Sequence, residues 1–170
     1  MTDVDVLVLH GSPGSGKTTL SRALSEHLRV ADVPHAVIDL DDISIVHPYP
    51  GRDFPRANLS ALWPNYAAVA PGLRLILPTV LADEGEAGLL RAAAPGRTFT
   101  VCELTAPKPV LYERVTAREP NDFWQERLRR WVDVFTARTD LARIRDFQVT
   151  THDKTIEQAA AEILRKAGWA

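Results

Sequence analysis

The sequence lacks several features that mark whole classes of protein. It contains one cysteine, Cys102, so it cannot form an internal disulfide, and nothing indicates an oxidising compartment. No segment approaches the roughly 20 apolar residues that a membrane span needs. The first residues, MTDVDVLVLHG, have the pattern of neither a signal peptide nor a transit peptide. We therefore expect a cytoplasmic protein with no membrane partner.

The sequence also lacks an excess of positive charge. Its 20 Lys and Arg residues stand against 22 Asp and Glu residues, and the formal net charge is −2. A protein that holds a nucleic-acid backbone usually presents a basic surface, so we expect no nucleic-acid partner. Hydrophobic residues make up 45% and charged residues 25% of the chain, as in ordinary globular proteins. The length of 170 residues fits one domain, which we place over 1–170.

Short apolar runs alternate with longer segments of helical periodicity along the chain. We expect strands at 4–10, 35–40, 72–80, 98–104 and 146–150, with helices between them and a last helix at the end. One helix, within 57–70, is expected to be interrupted at Pro64. This alternation predicts an α/β fold, a three-layer sandwich with a five-stranded parallel sheet. Ligands of such sheets bind beyond the carboxyl ends of the strands.

The segment GSPGSGKTT follows the first predicted strand directly and precedes an amphipathic helix. It matches the phosphate-binding loop pattern G-x-x-x-x-G-K-[ST]. In that pattern the glycines let successive N–H groups point at phosphate oxygens, the lysine adds a positive charge, and the hydroxyl after it can bind Mg²⁺. The pattern predicts a nucleotide-binding loop made of Gly11, Ser12, Pro13, Gly14, Ser15, Gly16, Lys17, Thr18 and Thr19, with Thr18 as a metal ligand.

Three carboxylates follow the second predicted strand in the segment IDLDDIS. Asp39, Asp41 and Asp42 repel one another unless a cation lies among them. One of them would orient Mg²⁺ and another would accept a proton from a hydroxyl group. The alternative is an aspartate-rich start of a helix, where such residues are favoured as caps.

Several arginines follow the fourth predicted strand. Arg114 and Arg118 are four residues apart on one helix, and Arg127 follows the helix-breaking segment EPND. A helix–loop–helix with arginines on one side suits a lid over a triphosphate, which we place at about 118–127. The alternative is a solvated face with salt bridges. In the second helix the apolar stripe is interpreted as core; it comprises Trp124, Leu128, Trp131, Val132 and Phe135.

The phosphate loop, followed about twenty residues later by D-x-D at a strand end, resembles the small P-loop kinases of metabolites. These include shikimate, gluconate and adenylylsulfate kinases and the chloramphenicol phosphotransferase group. The resemblance implies a P-loop nucleoside triphosphate hydrolase/kinase fold, with ATP and Mg²⁺ as cofactors. By position it implies that Asp41 is the base and that Asp39 supports the metal. It also places Arg114 near the nucleotide base and Arg118 on the phosphates.

The segment at about 42–66 has an irregular, proline-rich composition. In this architecture it lies beside the acceptor, so we expect it to set substrate choice together with Asp41. Arg52 and Arg56 would suit an anionic acceptor, and Tyr66 is a further candidate contact; the alternative for each is an ordinary surface loop. One departure from the P-loop pattern is the end of the third strand, which carries Pro78 and Thr79 instead of an acidic residue.

The sequence predicts an ATP-dependent kinase that transfers the γ-phosphoryl group to the hydroxyl of a small molecule. Asp41 would be the base, and Lys17, Arg118 and Arg127 would stabilise the charge of the transferring group. One alternative is a nucleotide-binding regulator with little phosphotransfer. Another is a nucleotide or polynucleotide kinase, which the net charge disfavours. Neither the acceptor nor the oligomeric state follows from the sequence.

Overall fold

The computed structural model describes residues 2–170 and shows a parallel sheet flanked by helices. Five strands pair in the order β2-β3-β1-β4-β5, with all neighbours parallel. Their bounds are Asp5–Gly11 (β1), His35–Val37 (β2), Arg74–Thr79 (β3), Thr98–Thr105 (β4) and Phe147–Thr150 (β5). This arrangement confirms the predicted five-stranded α/β fold.

Seven helices of the described part of the chain connect or follow the strands. They span Lys17–Val30 (α1), Asp53–Ala67 (α2), Glu84–Ala93 (α3), Lys108–Arg118 (α4), Asp122–Thr136 (α5), Leu141–Ile144 (α6) and Ile156–Ala167 (α7), and a 3₁₀ turn covers Asp42–Ser44. Three helix starts have the side-chain caps that their sequences favour: Asp83 before α3, Asn121 before α5, and Thr155 before α7. At Thr155 the cap is a full capping box with Gln158.

Apolar side chains cover both faces of the sheet. On one face β1 and β3 pack against α2 and α3 through residues such as Val8, Leu77, Leu59 and Leu90. On the other face α1 and α7 pack on the sheet through residues such as Leu24 and Ile163. Because the central strands are buried on both faces, their sequences are continuous apolar runs instead of alternating ones.

The hairpin of α4 and α5 lies apart from these two clusters and has a small core of its own. Leu111 and Val115 of α4 contact Val132 of α5 there. The interpretation of the α5 stripe as core is correct for Val132 and Phe135, which are buried. It is wrong for Trp124 and Trp131, whose exposed fractions are 48% and 51%.

Three details of the predicted elements were wrong. Helix α2 runs through Pro64 to Ala67; the proline removes one N–H donor, but its carbonyl still accepts the N–H of Ala68 at 3.2 Å. Strand β2 ends at Val37, so Asp39 lies in the loop that follows. The four-residue helix α6 is too short to leave a periodic signal in the sequence. Within residues 2–170, every helix falls short of the length and apolarity required to cross a bilayer.

Candidate active site

The phosphate loop connects the buried end of β1 to the start of α1. Gly14 and Gly16 adopt left-handed backbone conformations, with φ of 81° and 102°, and Gly16 is the cap of α1. A residue with a Cβ would be strained at both positions. The loop therefore requires glycine at both positions, although of these two the motif specifies only Gly16. It turns the chain so that the first N–H groups of α1 face the loop.

Lys17 lies across its own loop. Its Nζ donates hydrogen bonds to the carbonyl oxygens of Gly11 and Ser12, at 2.9 and 3.0 Å. Burial, with a smaller contribution from the nearby Arg118, lowers the pKa of Lys17 to about 8, although Asp41 and Asp39 oppose the shift. An anion at the loop would favour the charged form of this ammonium group.

One cavity of about 380 Å³ lies beside the phosphate loop, and we call it the loop cavity. Its wall combines the loop and the start of α1 with α4 and with the segment after β5: Gly14, Gly16, Thr19, Leu20, Arg114, Arg118, Thr151, Lys154, Thr155, Ile156 and Ala159. Arg114 joins two of these segments. Its guanidinium donates to the carbonyl oxygen of Gly14 at 3.1 Å and to Thr151 Oγ1 and O, both at 2.8 Å.

The two predicted lid arginines lie in different places. Arg118, at the end of α4, lines the loop cavity and has no ion-pair partner among residues 2–170. Arg127 is exposed on α5, lines neither of the two cavities described here, and lies 5.7 Å from the ring centre of Trp124 in a cation–π contact. The structure thus brings Arg114 and Arg118 to the phosphate loop, whereas Arg127 points to a neighbouring aromatic ring.

A second cavity, of about 480 Å³, lies beyond the carboxyl end of β3, and we call it the strand-end cavity. Five parts of the chain line it: the phosphate loop, the segment after β2, helix α2 with the residues before it, the segment from β3 into α3, and α5. The lining residues are Pro13, Leu40, Asp41, Ser44, Tyr49, Arg52, Pro55, Arg56, Thr79, Val80, Leu81, Ala82, Glu86, Leu90, Trp131, Val134, Phe135 and Arg138.

The three aspartates after β2 do not converge on one position. Asp41 is exposed and lines the strand-end cavity, and Asp42 is exposed at the start of the 3₁₀ turn. Asp39 is partly buried; its Oδ1 accepts the N–H of Asp41 at 3.0 Å, and its Oδ2 lies 3.4 Å from Thr18 Oγ1. Among residues 2–170, no three His, Cys, Asp or Glu side chains are grouped to hold a metal ion.

Thr18 and Asp39 nevertheless offer a donor pair that fits Mg²⁺ in the presence of nucleotide phosphates. A hydroxyl and a carboxylate are the hard oxygen ligands that Mg²⁺ prefers, and substrate phosphates commonly supply others. Burial raises the pKa of Asp39, and the carboxylates of Asp41 and Asp42 raise it further, although hydrogen bonds from Asp41 and Thr18 oppose this. A cation beside Asp39 would remove that penalty.

The residues expected to choose the substrate divide into two groups. Arg52 and Arg56 line the strand-end cavity, but both pair with Glu86 of α3. Tyr66 lies on α2 and packs against the main core, and it lines neither of the two cavities. Glu86 carried no motif signal in the sequence, because its role depends on the packing of α3 against α2.

Two further residues shape the strand-end cavity, and their sequence context did not reveal them. His10, at the end of β1, is fully buried, and its Nδ1 accepts the backbone N–H of Leu81 at 2.9 Å. Arg138, just after α5, donates to the carbonyl oxygen of Leu81 at 2.6 Å. The backbone N–H and the carbonyl of Leu81 are therefore both held by hydrogen bonds to side chains. Burial lowers the pKa of His10 to about 3, with Arg138 and Lys17 contributing, so the ring is neutral at physiological pH and Nε2 carries the proton.

The fold and this site define a class. A parallel sheet of order 2-3-1-4-5 that carries a glycine-rich loop with lysine between β1 and α1 is a P-loop nucleotide-binding fold. More particularly, the chain belongs to the AAA domain family, whose model matches residues 7–131. The phosphate loop and the segment around Asp41 lie inside the matched region.

Similar proteins cover nearly the whole chain. A UPF0200 protein of Pyrobaculum aerophilum is 24% identical in an alignment of 168 positions, which covers 94% of this chain and 95% of the relative. A gluconokinase from Sinorhizobium meliloti 1021 superposes with a TM-score of 0.66 at 18% identity, over 99% of this chain and 94% of the other. An APS kinase from Mycobacterium tuberculosis, solved with AMPPNP and APS, has a TM-score of 0.66 at 17% identity, with 97% and 98% covered.

A shikimate kinase from Acinetobacter baumannii gives a TM-score of 0.61 at 17% identity, over 96% of this chain and 92% of the other. At identities this low, structural similarity shows the fold and no more. The resemblance to small P-loop kinases is confirmed at that level.

Proposed function

We propose that the protein is an ATP-dependent kinase that transfers the γ-phosphoryl group of ATP to a hydroxyl group of a small molecule. The observation that carries the proposal is the position of the phosphate loop between two cavities. Gly14 and Gly16 belong to the wall of the loop cavity, and Pro13 belongs to the wall of the strand-end cavity. A transferase needs this arrangement, because donor and acceptor must meet at the transferred group.

The loop cavity suits the nucleotide. Lys17 and the N-terminus of α1 provide positive charge for the triphosphate, and Arg114 and Arg118 line the remaining wall. When Mg²⁺ is bound, Thr18 and Asp39 would hold it, and it would neutralise charge on the phosphates. The free guanidinium of Arg118 is the lid group best placed to stabilise charge on the transferring phosphoryl group.

The strand-end cavity suits the acceptor. In the proposed reaction the acceptor oxygen forms a bond to the γ-phosphorus, the bond from the γ-phosphorus to the β–γ bridging oxygen breaks, and ADP leaves with that electron pair. The Asp41 carboxylate receives the hydroxyl proton. Asp41 is the only Asp or Glu in this cavity wall without an arginine partner, within residues 2–170.

The regulatory alternative shares the loop cavity but has no use for the second one. A nucleotide-binding regulator requires no base beside the phosphates and no separate acceptor cavity. The strand-end cavity and the unpaired Asp41 therefore favour transfer. A polynucleotide kinase would need a basic groove, and the arginines of the strand-end cavity are already paired with carboxylates.

Replacing Asp41 with Asn tests the proposal. The change keeps size and polarity but removes the base, so transfer should fall by about a hundredfold or more while ATP affinity stays nearly unchanged. Acceptor-dependent ADP release and calorimetric ATP binding measure the two quantities. Asp42→Asn is the matched control, because Asp42 is an exposed neighbour in the same turn that does not line either cavity. Normal transfer by the Asp41→Asn variant would exclude Asp41 as the base.

A further inference from the structure

The positive charges around the strand-end cavity are already neutralised by the protein itself. Arg52 Nη2 donates to both carboxylate oxygens of Glu86 at 2.9 Å. Arg56 lies 3.5 Å from the same carboxylate and also pairs with Asp53. The side chains of Glu86 and Arg56 are mostly buried, so their pair is shielded from solvent better than an ordinary surface pair, whereas Arg52 stays mostly exposed. An anionic acceptor would have to compete with Glu86 for both arginines.

The third arginine in the cavity wall is occupied in the same way. Arg138 forms two hydrogen bonds of 2.9 Å with the carboxylate of Asp140 and one of 2.6 Å with the Leu81 carbonyl. Its guanidinium also lies 5.3 Å from the ring centre of Phe135. Three of its five N–H donors are thus engaged within the protein, and its charge is balanced. We expected the arginines of this cavity to bind an anionic acceptor, but each of the three is already paired with a carboxylate.

Large apolar side chains supply most of the remaining wall. Three of these side chains are more than half exposed although they line the cavity: Trp131 and Val134 of α5, and Tyr49 of the segment before α2. Leu81 and Leu90 close its inner end. Exposed aromatic and aliphatic groups that converge on one concavity indicate a ligand with an apolar body.

The inner part of this wall is held in a fixed shape. The ring of His10 packs on Phe135 with centroids 5.3 Å apart, and the Leu81 backbone is hydrogen-bonded to His10 and Arg138. A wall with fixed side chains binds an apolar group without a large ordering cost. The cavity therefore exists before the ligand arrives, and its volume of about 480 Å³ is within the range of small-molecule sites.

Few polar groups of the cavity are free to replace the water around a polyhydroxylated molecule. Ser44 Oγ already donates to the carbonyl oxygen of Leu40 at 2.7 Å, and the arginines and Glu86 are paired. Asp41 and Thr79 remain at the side of the phosphate loop, and the half-exposed Tyr49 and Trp131 each keep one polar group. Sugar hydroxyls buried against Val134, Leu81 and Leu90 would lose hydrogen bonds to water without gaining others, which is costly.

We infer that the acceptor is an uncharged alcohol with an aromatic or aliphatic ring body, and not a polyhydroxylated acid. The ring would lie against Trp131, Val134 and Phe135, and its hydroxyl would point to Asp41 at the phosphate-loop side. This inference rests on the proposed function for the fate of the hydroxyl, but it identifies the acceptor class by binding, which is measured separately from transfer.

The test compares two sets of hydroxyl compounds in the presence of Mg²⁺ and AMPPNP. The first set contains 2-phenylethanol and indole-3-ethanol, and the second contains gluconate and shikimate. Calorimetry should show at least tenfold tighter binding of the first set. ADP release with ATP should rise above the acceptor-free rate with the first set only. Tighter binding of the acids, or binding by neither set, would overturn the inference.

The two readouts separate the inference from the proposed function. Binding of the aromatic alcohols without any ADP release would support the acceptor-site chemistry and count against phosphoryl transfer to it. Transfer to gluconate or shikimate would support the kinase function and overturn the acceptor class.

A matched pair of tryptophan variants locates the binding site. Trp131→Ala removes a large part of the apolar wall and should weaken binding of the aromatic alcohols by about tenfold, with ATP affinity unchanged. Trp124→Ala is the control, because Trp124 is on the same helix with a similar exposed fraction, 48% against 51%, and lines neither cavity. Equal effects of the two variants would place the ligand elsewhere.

Discussion

The two cavities on either side of the phosphate loop are built in different ways. Part of the loop-cavity wall comes from residues 14–20, and the rest comes from α4 and from the segment after β5. The strand-end cavity collects side chains from five separate parts of the chain. Backbone N–H groups and one lysine suffice to bind phosphates, so a short motif can encode the first site. A cavity for a variable organic molecule has to be assembled from side chains that tertiary packing brings together.

The largest expected effect separates the two cavities completely. Lys17→Ala removes the positive charge that we propose binds the phosphates, and we expect ATP turnover to fall by about a hundredfold to a thousandfold. Binding of the aromatic alcohols, measured by calorimetry without nucleotide, should stay within about twofold of the wild type. Lys108→Ala is a suitable control, since Lys108 is a half-exposed lysine of α4 outside both cavities.

If Lys17→Ala lost the two kinds of ligand together, the division into two independent cavities would be wrong. A thermal unfolding curve of this variant shows whether it is folded. Because burial disfavours the charged lysine, its removal should not lower the unfolding temperature.

The next effect should change the acceptor side alone. Glu86→Gln keeps an oxygen that accepts hydrogen bonds but removes the charge that neutralises Arg52 and Arg56. We expect the affinity for carboxylate-bearing compounds such as shikimate to rise by about tenfold, because Arg52 loses its carboxylate partner and Arg56 keeps only Asp53. ATP affinity should not change. Calorimetry on the same two sets of compounds gives the result, and unchanged affinity for the acids would show that the arginines are not accessible to ligands.

The smallest effect is a pH dependence confined to the nucleotide side. Phosphates bind the charged form of Lys17, whose pKa in the free protein is about 8. Above that pH, nucleotide binding must take up a proton, so ATP affinity should fall by about five- to tenfold between pH 7.5 and 9. The affinity for uncharged alcohols should not depend on pH in this range.

Calorimetry in buffers with different ionisation heats measures the proton uptake directly. At pH 8.5 the observed binding heats should differ between the buffers by a fraction of the difference between their ionisation heats. Identical heats would mean that Lys17 keeps its proton in the free protein at this pH.

The sequence predicted the loop cavity better than the strand-end cavity, because a local motif forms the first and distant parts of the chain form the second. The strands, the phosphate loop and the presence of helices between the strands were predictable, because apolar periodicity and the GSPGSGKTT motif are local. Arg118 was found at the loop cavity, since its place in the helix after β4 is set by the chain order of the fold. The prediction that Asp41 is the base remains to be tested by the Asn variant.

The acceptor side was less predictable for physical reasons. Arg52 and Arg56 were expected to bind an anion, but an arginine in a sequence carries no sign of its partner, and Glu86 comes about thirty residues later. Trp131 belongs to the same apolar stripe of α5 as the buried Val132 and Phe135. Only the packed structure shows that Trp131 is half exposed and lines the strand-end cavity. Pairing of charges and exposure of apolar groups are properties of the packed chain.

The double attachment of Leu81 has a consequence for how this protein can change its substrate. His10, the last residue before the phosphate loop, accepts the Leu81 N–H. Arg138, just after α5, donates to the Leu81 carbonyl. A substitution that reshapes this inner wall would leave buried polar groups unpaired and would disturb the start of the phosphate loop as well. Trp131, Val134 and Tyr49 lie on the solvent side and carry no such obligation. Divergence in acceptor range among relatives, or selection for a new acceptor in the laboratory, should therefore accumulate at these three outer positions while the inner wall remains constant.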